Sequence, residues 1–158
     1  MIYAGIGYDV HRFVENRKLI LGGVNFDHHL GLSGHSDADV VLHAVGDAIL
    51  GAASLGDIGE LFPDTDDKWK GISSQILLDK IIELVNKKGL YVNNVDIIYI
   101  AQEPKISKKK KEMEQRIAEI LKVDMERVNV KATTTEGLGS IGRSEGAASQ
   151  AIATLIQK

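Results

Sequence analysis

Ile2-Tyr3-Ala4-Gly5-Ile6-Gly7-Tyr8-Asp9 opens the chain with an alternating run. Period-two alternation of this kind reads as a strand over 2–9. On a strand, residues i and i+2 project to the same side. Asp9 and His11 therefore present a carboxylate and an imidazole to one point in space. Working outward, 18–21 reads as a second extended piece that ends at the turn signal Gly22-Gly23, and 24–34 as loop. Ser36-x-x-Asp39 resembles a capping box with Asp in place of Glu. A helix is expected over 38–52, with Val41, Leu42, Val45, Ile49 and Leu50 as its apolar side. Asp39, His43 and Asp47 lie four apart and form a polar line on one face.

The stretch 55–67 is long and irregular, yet Ile58, Leu61 and Phe62 can anchor it. Such loops in a small domain tend to be functional, and it reads as an ordered substrate loop. A second helix starts at Ser73 or Ser74, with Gly89 just past its end. Residues 95–101 are rich in β-branched side chains and read as a strand, which Gln102-Glu103-Pro104-Lys105 breaks. A third helix is expected over 107–121, a strand over 127–133, and a last helix from about Gly146. Strands interleaved with helices argue an α/β (α+β) architecture, a sheet with helices packed on it. The length suits one domain over 1–158.

Hydrophobic content of 44% and charged content of 26% are ordinary for a soluble globular protein. A net charge of −3 gives no general reason to expect nucleic acid, and Lys108 to Lys111 reads as a solvated helix start. The N-terminus lacks a basic n-region followed by an apolar run, and no apolar run is long enough for a membrane span. A cytoplasmic protein with neither nucleic acid nor membrane as partner is expected. The chain has no cysteine, so any metal must use nitrogen and oxygen ligands.

All five histidines (His11, His28, His29, His35 and His43) fall in the first third of the chain. His43, on the expected helix, can bring a second imidazole to the point shared by Asp9 and His11. Two His and one carboxylate leave a tetrahedral metal one open position, the pattern of a catalytic zinc site. A lone His-Asp pair is more often a satisfied polar pair; the shared context here favours the metal. Asp47, one turn past His43, either holds an imidazole N–H or is an exposed helix carboxylate. His35-Ser36 precedes a helix N-terminus, where free N–H groups favour an anion such as phosphate, though Ser36 can also act as the N-cap. Thr133-Thr134-Thr135-Glu136 leaves a strand end. Its hydroxyls can donate to phosphate, and Glu136 is a hard ligand of the sort Mg²⁺ or Mn²⁺ accepts; alone, a Thr run is more often a plain strand end. Gly137, Gly139, Gly142 and Gly146 form a glycine-rich loop around Arg143 that is no Walker motif. Arg143 suits a phosphate or diphosphate, or an inter-subunit ion pair with Glu145.

Six segments stand in order along nearly the whole chain. They are Gly7-Tyr8-Asp9-Val10-His11, His35-Ser36-Asp37-Ala38-Asp39 with His43, Gly56-Asp57-Ile58-Gly59, Phe62-Pro63-Asp64-Thr65-Asp66, Ala101-Gln102-Glu103-Pro104-Lys105, and Lys131-Ala132-Thr133-Thr134-Thr135-Glu136. Together they closely resemble the 2-C-methyl-D-erythritol 2,4-cyclodiphosphate synthase family of the non-mevalonate isoprenoid pathway. The resemblance implies a mixed β-sheet with helices on one face, in a trimeric chorismate-mutase-like fold, with active sites between adjacent subunits. It implies Zn²⁺ on Asp9, His11 and His43, and Mg²⁺ or Mn²⁺ on Glu136. Asp9, His11, His35, Ser36, Thr133, Thr134, Thr135, Glu136 and Arg143 are the residues it places around the phosphates, with His35 and Thr134 catalytic. Asp57, Ile58 and Gly59, with Phe62, Pro63, Asp64, Thr65 and Asp66, would hold the ribose and methylerythritol. Ala101, Gln102, Glu103, Pro104, Lys105, Ile106 and Ser107 would form a cytosine pocket. One departure stands out: Ser140 replaces a family Phe that lines an apolar cavity on the trimer axis, where an isoprenoid diphosphate can bind. Ile141 can refill part of that space.

The reaction implied is intramolecular phosphoryl transfer within a cytidine diphosphate substrate, releasing CMP. The nucleophile is the substrate's own phosphate, which suits a chain with no cysteine and no evident triad. Two other classes compete. A zinc-dependent phosphohydrolase would use water at the same metal, with His35 as the obvious base. A non-catalytic zinc-stabilised oligomer would leave the Thr-Thr-Thr-Glu and Gly-Asp-Ile-Gly segments without a purpose.

Overall fold

A computed structural model describes residues 1–157. β1 (Ile2–Val14) runs past the expected end at Asp9, and its alternation holds as far as Phe13. Tyr3, Gly5, Gly7, Asp9 and His11 turn toward the helices, while Ile2, Ala4, Ile6, Tyr8 and Val10 are exposed on the opposite face. The segment expected as loop holds two short strands, β3 (Val24–Phe26) and β4 (Gly31–Leu32). The first of these forms a hairpin with β2 (Leu19–Leu21).

The last segment departs most from the sequence reading. Residues from Gly146 were expected to be a helix and form the strand β7 (Gly146–Gln157) instead. It pairs antiparallel with β1, from Ile2 opposite Ile156 to Arg12 opposite Gly146. On its other side it pairs antiparallel with β5 (Leu90–Ile100). Alanine is the best helix former, so local propensity favours a helix here. Two long partner strands outweigh that preference. Ala also hides the signal, because it suits both faces of a strand. Ala147, Ala151 and Ala153 are buried, and their small side chains let a helix lie close against the sheet.

β6 (Val128–Thr133) lies parallel to β5, from Val95 opposite Val128 to Ile100 opposite Thr133. A parallel pair needs a crossover, and α4 (Lys110–Leu121) supplies it. The five-stranded sheet has the order β4-β1-β7-β5-β6. α1 (Val40–Ala53) lies along β1 and β7, and α3 (Ser74–Lys87) packs on α1 and β5. α1 is apolar on nearly all sides and correspondingly buried, including Val41, Val45, Ile49 and Leu50. Helices thus cover one face of a mixed sheet, and the core lies between. The other face leaves Ile6, Tyr8, Val10 and Ile152 exposed, with Ile6 directly opposite Ile152. Among the described residues no helix is long and apolar enough to cross a membrane.

The start of α1 also differs from the expected capping box. Asp39 itself is the N-cap, and its carboxylate accepts N–H bonds from Val41 and Leu42. It also accepts from the Gly22 and Gly23 amides at 2.9 and 2.7 Å. Both glycines have positive φ, 60° and 74°, which turns their N–H groups inward together. One buried carboxylate therefore ties the β2–β3 turn to the start of α1. Burial pushes this carboxyl up to about 6, against the four N–H groups that favour its charged form.

Candidate active site and metal centre

β1 and α1 meet closely because two positions lack side chains. A Cβ on Gly5 would lie 2.1 Å from the Ala48 carbonyl oxygen, so no larger residue fits there. This approach sets His43 beside Asp9. His43 Nδ1 lies 3.0 Å from Asp9 Oδ2, and His11 Nε2 lies 2.8 Å from the same oxygen. The two ring nitrogens are 3.2 Å apart. Among the described residues, these three side chains form the one group of three or more whose ligand atoms converge, all within 4.8 Å of one another. Two donor atoms each 2.0–2.1 Å from a tetrahedral metal stand about 3.3 Å apart. The spacing and the nitrogen–oxygen donor set both fit Zn²⁺.

Burial alone would raise the Asp9 carboxyl, but hydrogen bonds to His11 and His43 hold it down at about 2. Burial would lower the His43 imidazole, yet the Asp9 carboxylate, with Asp39 and Asp37 behind it, raises it. The carboxylate is thus charged, as a metal ligand must be.

Asp47 does not hold the His43 ring. Its Oδ1 accepts from the Ile58 amide at 2.8 Å and so fixes the loop that begins there. Burial raises its carboxyl. The far nitrogen of His43, Nε2, instead meets Ser74 Oγ at 2.9 Å and Ser36 Oγ at 3.1 Å. Ser36 is not the N-cap of α1, and Asp39 occupies that helix end. The first amides of α1 therefore bind a carboxylate of the protein, which removes the helix terminus as a phosphate seat.

The three converging side chains stand in the wall of a cavity of about 570 Å³. His35, Ser36, Ile58, Gly59, Phe62, Pro63 and Asp64 line it too, so four of the six motif segments meet at this cavity. Asp47 lines it as well, as do Gly34, Trp69 and Leu77, which sequence reading did not find. Trp69 is the only Trp of the chain, a signal that was available. Its ring meets Phe62 edge-on at 4.9 Å and anchors the loop. Arg17, also missed, donates to the Gly34 and Ser36 carbonyls at 2.8 and 2.7 Å and braces the His35 segment. Asp57, Thr65 and Asp66 do not line the cavity. Asp57 caps the short helix α2 (Ile58–Leu61), and Asp66 accepts from the Lys68 amide at 3.0 Å. The Asp66 carbonyl lies 3.3 Å from His35 Nε2.

A second cavity of about 170 Å³ is lined by Ala101, Pro104, Lys105, Ile106, Ser107, Thr133 and Thr134, with Tyr99 and Ala132. Gln102 and Glu103 turn elsewhere: Gln102 Oε1 accepts from the Thr135 amide at 3.2 Å, and the Glu103 carbonyl accepts from the Tyr99 hydroxyl at 3.3 Å. Thr135 Oγ1 donates to the Leu138 carbonyl at 2.8 Å. Glu136 is exposed, in the left-handed region at φ 54°. Arg143, just past α5 (Gly139–Gly142), pairs with Glu145 of the same chain at 2.8 Å. The sheet register measures the distance from the histidine cluster to the strand that carries the Thr run. Asp9 stands opposite Ser149, Ser149 opposite Tyr99, and Tyr99 opposite Ala132. Three strand spacings separate Asp9 from Ala132, about 14 Å. A single chain therefore does not bring the histidine cluster to the Thr-Thr-Thr-Glu segment.

Comparison with known proteins agrees with the motif pattern. The YgbB family model matches residues 2–156. The 2-C-methyl-D-erythritol 2,4-cyclodiphosphate synthase of Alkaliphilus metalliredigens is 57% identical over 153 residues, 97% of this chain and 96% of that protein. The synthase of the same name from Geobacter sulfurreducens is 54% identical over 154 residues, 98% of each chain. The bifunctional IspDF of Campylobacter jejuni superposes with a TM-score of 0.95 at 50% identity, over 98% of this chain and 42% of that one. The CDP complex of IspF from Plasmodium falciparum superposes with a TM-score of 0.87 at 38% identity, over 99% and 97% of the two chains. With its motifs, its mixed sheet and relatives matched from end to end, this chain belongs to the YgbB family, that of the 2-C-methyl-D-erythritol 2,4-cyclodiphosphate synthases.

Proposed function

We propose that the chain converts 4-diphosphocytidyl-2-C-methyl-D-erythritol 2-phosphate to 2-C-methyl-D-erythritol 2,4-cyclodiphosphate and CMP. It is thus a phosphorus–oxygen lyase of non-mevalonate isoprenoid precursor biosynthesis, acting as a single catalytic domain in the cytoplasm. The observation that carries this reading is the convergence of Asp9, His11 and His43 in the wall of a cavity that His35 and the 58–64 loop also line. The CDP bound to the Plasmodium falciparum protein supports a cytidine diphosphate substrate.

An oxygen of the substrate's 2-phosphate bonds to the β-phosphorus of its cytidine diphosphate. The bond from that phosphorus to the bridging oxygen breaks, and CMP carries the electron pair away. The nucleophile is already an anion, so no protein nucleophile is needed. The protein's work is to gather negative charge and align the attack. Asp9, His11 and His43 would hold Zn²⁺, and the exposed carboxylate of Glu136 would hold Mg²⁺ or Mn²⁺. These ions supply positive charge at the phosphate oxygens. His35, Ser36 and Thr134 donate to the diphosphate, and Arg143 adds a guanidinium. The 58–64 loop seats the methylerythritol and ribose, and the Pro104-Lys105 cavity seats the cytosine.

The substrate must touch both the histidine cluster and the Thr-bearing strand, and one chain holds Asp9 three strand spacings, about 14 Å, from Ala132. A homotrimer with sites between subunits answers this, one chain lending the histidine cluster and its neighbour the Thr134–Glu136 segment. The open sheet face carrying Ile6, Tyr8, Val10 and Ile152 supports such packing, since apolar patches of this kind mark contact surfaces. Incubating the protein with substrate, Zn²⁺ and Mg²⁺ and following phosphorus NMR tests the reading. A cyclic diphosphate with CMP is expected. Inorganic phosphate would instead establish a hydrolase, and no turnover a non-catalytic oligomer.

A further inference from the structure

We propose that Gln102 is a positioning residue that ties the turn bearing Glu136 to the base pocket. The inference rests on the proposed reading of 101–107 as the cytosine seat and of Glu136 as a metal ligand. It starts where two strands part. The parallel pairing of β5 and β6 ends at Ile100 opposite Thr133, and the Ala101 amide donates to the Thr133 carbonyl at 3.1 Å. The next rung of a parallel ladder would run from the Thr135 amide to the Ala101 carbonyl. Gln102 takes that amide instead, accepting it on Oε1 at 3.2 Å. A side-chain carbonyl thus stands in for the strand at the fork. Beyond it β5 becomes the pocket loop and β6 becomes the turn that bears Glu136. Gln102 is not among the residues that line the pocket itself.

The turn is knitted within itself. Thr134 Oγ1 accepts from the Glu136 amide at 3.1 Å, the Thr135 hydroxyl donates to the Leu138 carbonyl at 2.8 Å, and the Leu138 amide donates to the Thr135 carbonyl at 2.9 Å. These bonds hold Glu136 in the left-handed region at φ 54°, a conformation that a residue with a Cβ keeps only where its surroundings impose it. The turn therefore moves as a unit, and the Gln102 bond sets where that unit stands relative to the pocket. The pocket loop has its own fastenings. Tyr99, Ala101 and Ile106 are buried, the Tyr99 hydroxyl donates to the Glu103 carbonyl at 3.3 Å, and the Lys109 amide donates to the Ile106 carbonyl at 2.9 Å. Loss of the Gln102 acceptor should therefore free the turn and leave the pocket in shape. A cytidine diphosphate reaches from the base to the metal, so a shift of the turn misaligns the phosphates without weakening the grip on the base.

The test compares the full chain as wild type, Gln102→Met and Gln102→Glu. Methionine keeps the length and loses the acceptor, while glutamate keeps an acceptor oxygen. Hydrogen exchange at the Thr135 amide reads the strut directly. It should be faster in Gln102→Met than in wild type and slow again in Gln102→Glu. Gln102→Ala serves in place of Gln102→Met should that variant fail to fold. Steady-state kinetics and calorimetry with CMP then separate positioning from base contact. Gln102→Met should lower kcat roughly 10- to 100-fold and raise the Mg²⁺ concentration for half-maximal rate, the loss usual for a group that orients a metal ligand. Its CMP affinity should stay within about threefold of wild type on the same scale. Unchanged exchange at Thr135 in Gln102→Met overturns the proposal, as does a CMP affinity that falls as far as kcat, which would make Gln102 a base contact. A wild type that makes no cyclic diphosphate would overturn the function reading instead, while exchange at Thr135 and CMP binding still decide the strut.

Discussion

Gly7 on β1 faces Ala44 on α1 so closely that a Cβ at position 7 would lie 1.9 Å from the Ala44 carbonyl oxygen. The contact sits two residues from Asp9 and one from His43, so the closeness of strand and helix sets the geometry of the cluster. Gly7→Ala must push α1 outward. Overpacking of this kind costs about 1–3 kcal/mol. Urea denaturation of the metal-free protein should show that loss, and zinc affinity should fall with it because His43 moves away from Asp9. A variant of wild-type stability and affinity would show that the contact does not set the site.

One tightly held zinc per subunit is expected between Asp9, His11 and His43. Anomalous diffraction at the zinc edge should place a peak there and none at His28 and His29, whose rings pack 4.5 Å apart outside the cluster. His43→Ala should release the metal and abolish turnover. A fourth protein ligand closing the site would defeat the catalytic reading, since a catalytic zinc keeps one position open.

Asp39→Ala should be among the most destabilising single changes outside the apolar core. It removes the cap of α1, worth about 1 kcal/mol. It also strips partners from the buried Gly22 amide and the half-buried Gly23 amide, at about 1–3 kcal/mol for a fully buried unsatisfied group. A combined loss of roughly 3 kcal/mol or more should appear in urea denaturation. Asp39→Asn keeps one acceptor oxygen and should lose less. Equal stability in all three proteins would show that the four N–H bonds carry no net weight.

His11→Ala and Glu136→Gln should each be inactive for different reasons. The first loses zinc; the second keeps it but holds Mg²⁺ or Mn²⁺ poorly, because an amide is a weak hard-cation ligand. Co-expressing the two chains should restore partial activity if sites lie between subunits, since some boundaries would join two intact halves. Demonstrably mixed trimers with no recovery would reject the shared site. A fully active monomer in sedimentation and kinetic assays would reject it more directly.

Much of the fold was legible because its signals are local. The alternation of β1 put Asp9 and His11 on one side, and it holds past the expected end to Phe13. The start of α3 at Ser73-Ser74 and the strand around Val95–Ile100 also follow from short-range pattern. β7 was read as a helix because its alanines look helical alone, and only pairing with β1 and β5 makes them a strand. Leu77 carries no motif, and neither does Arg17, which braces the His35 segment from behind, so nothing nearby in the chain announced them; Trp69 offered only its rarity.

The sequence by itself determined the cysteine-free ligand chemistry, the shared side of Asp9 and His11, and the family to which six ordered motifs point. Each of these depends on composition, strand periodicity or spacing within a few residues. Only the tertiary structure decided that Asp39, not Ser36, caps α1, and that Ser74 rather than Asp47 meets the far edge of His43. It alone set the histidine cluster and the Thr-Thr-Thr-Glu segment apart across the sheet. The physical reason is common to all three. A hydrogen-bond partner or a strand neighbour is chosen by which surfaces the packed core brings within about 3–5 Å, and residues that meet there can lie anywhere along the chain.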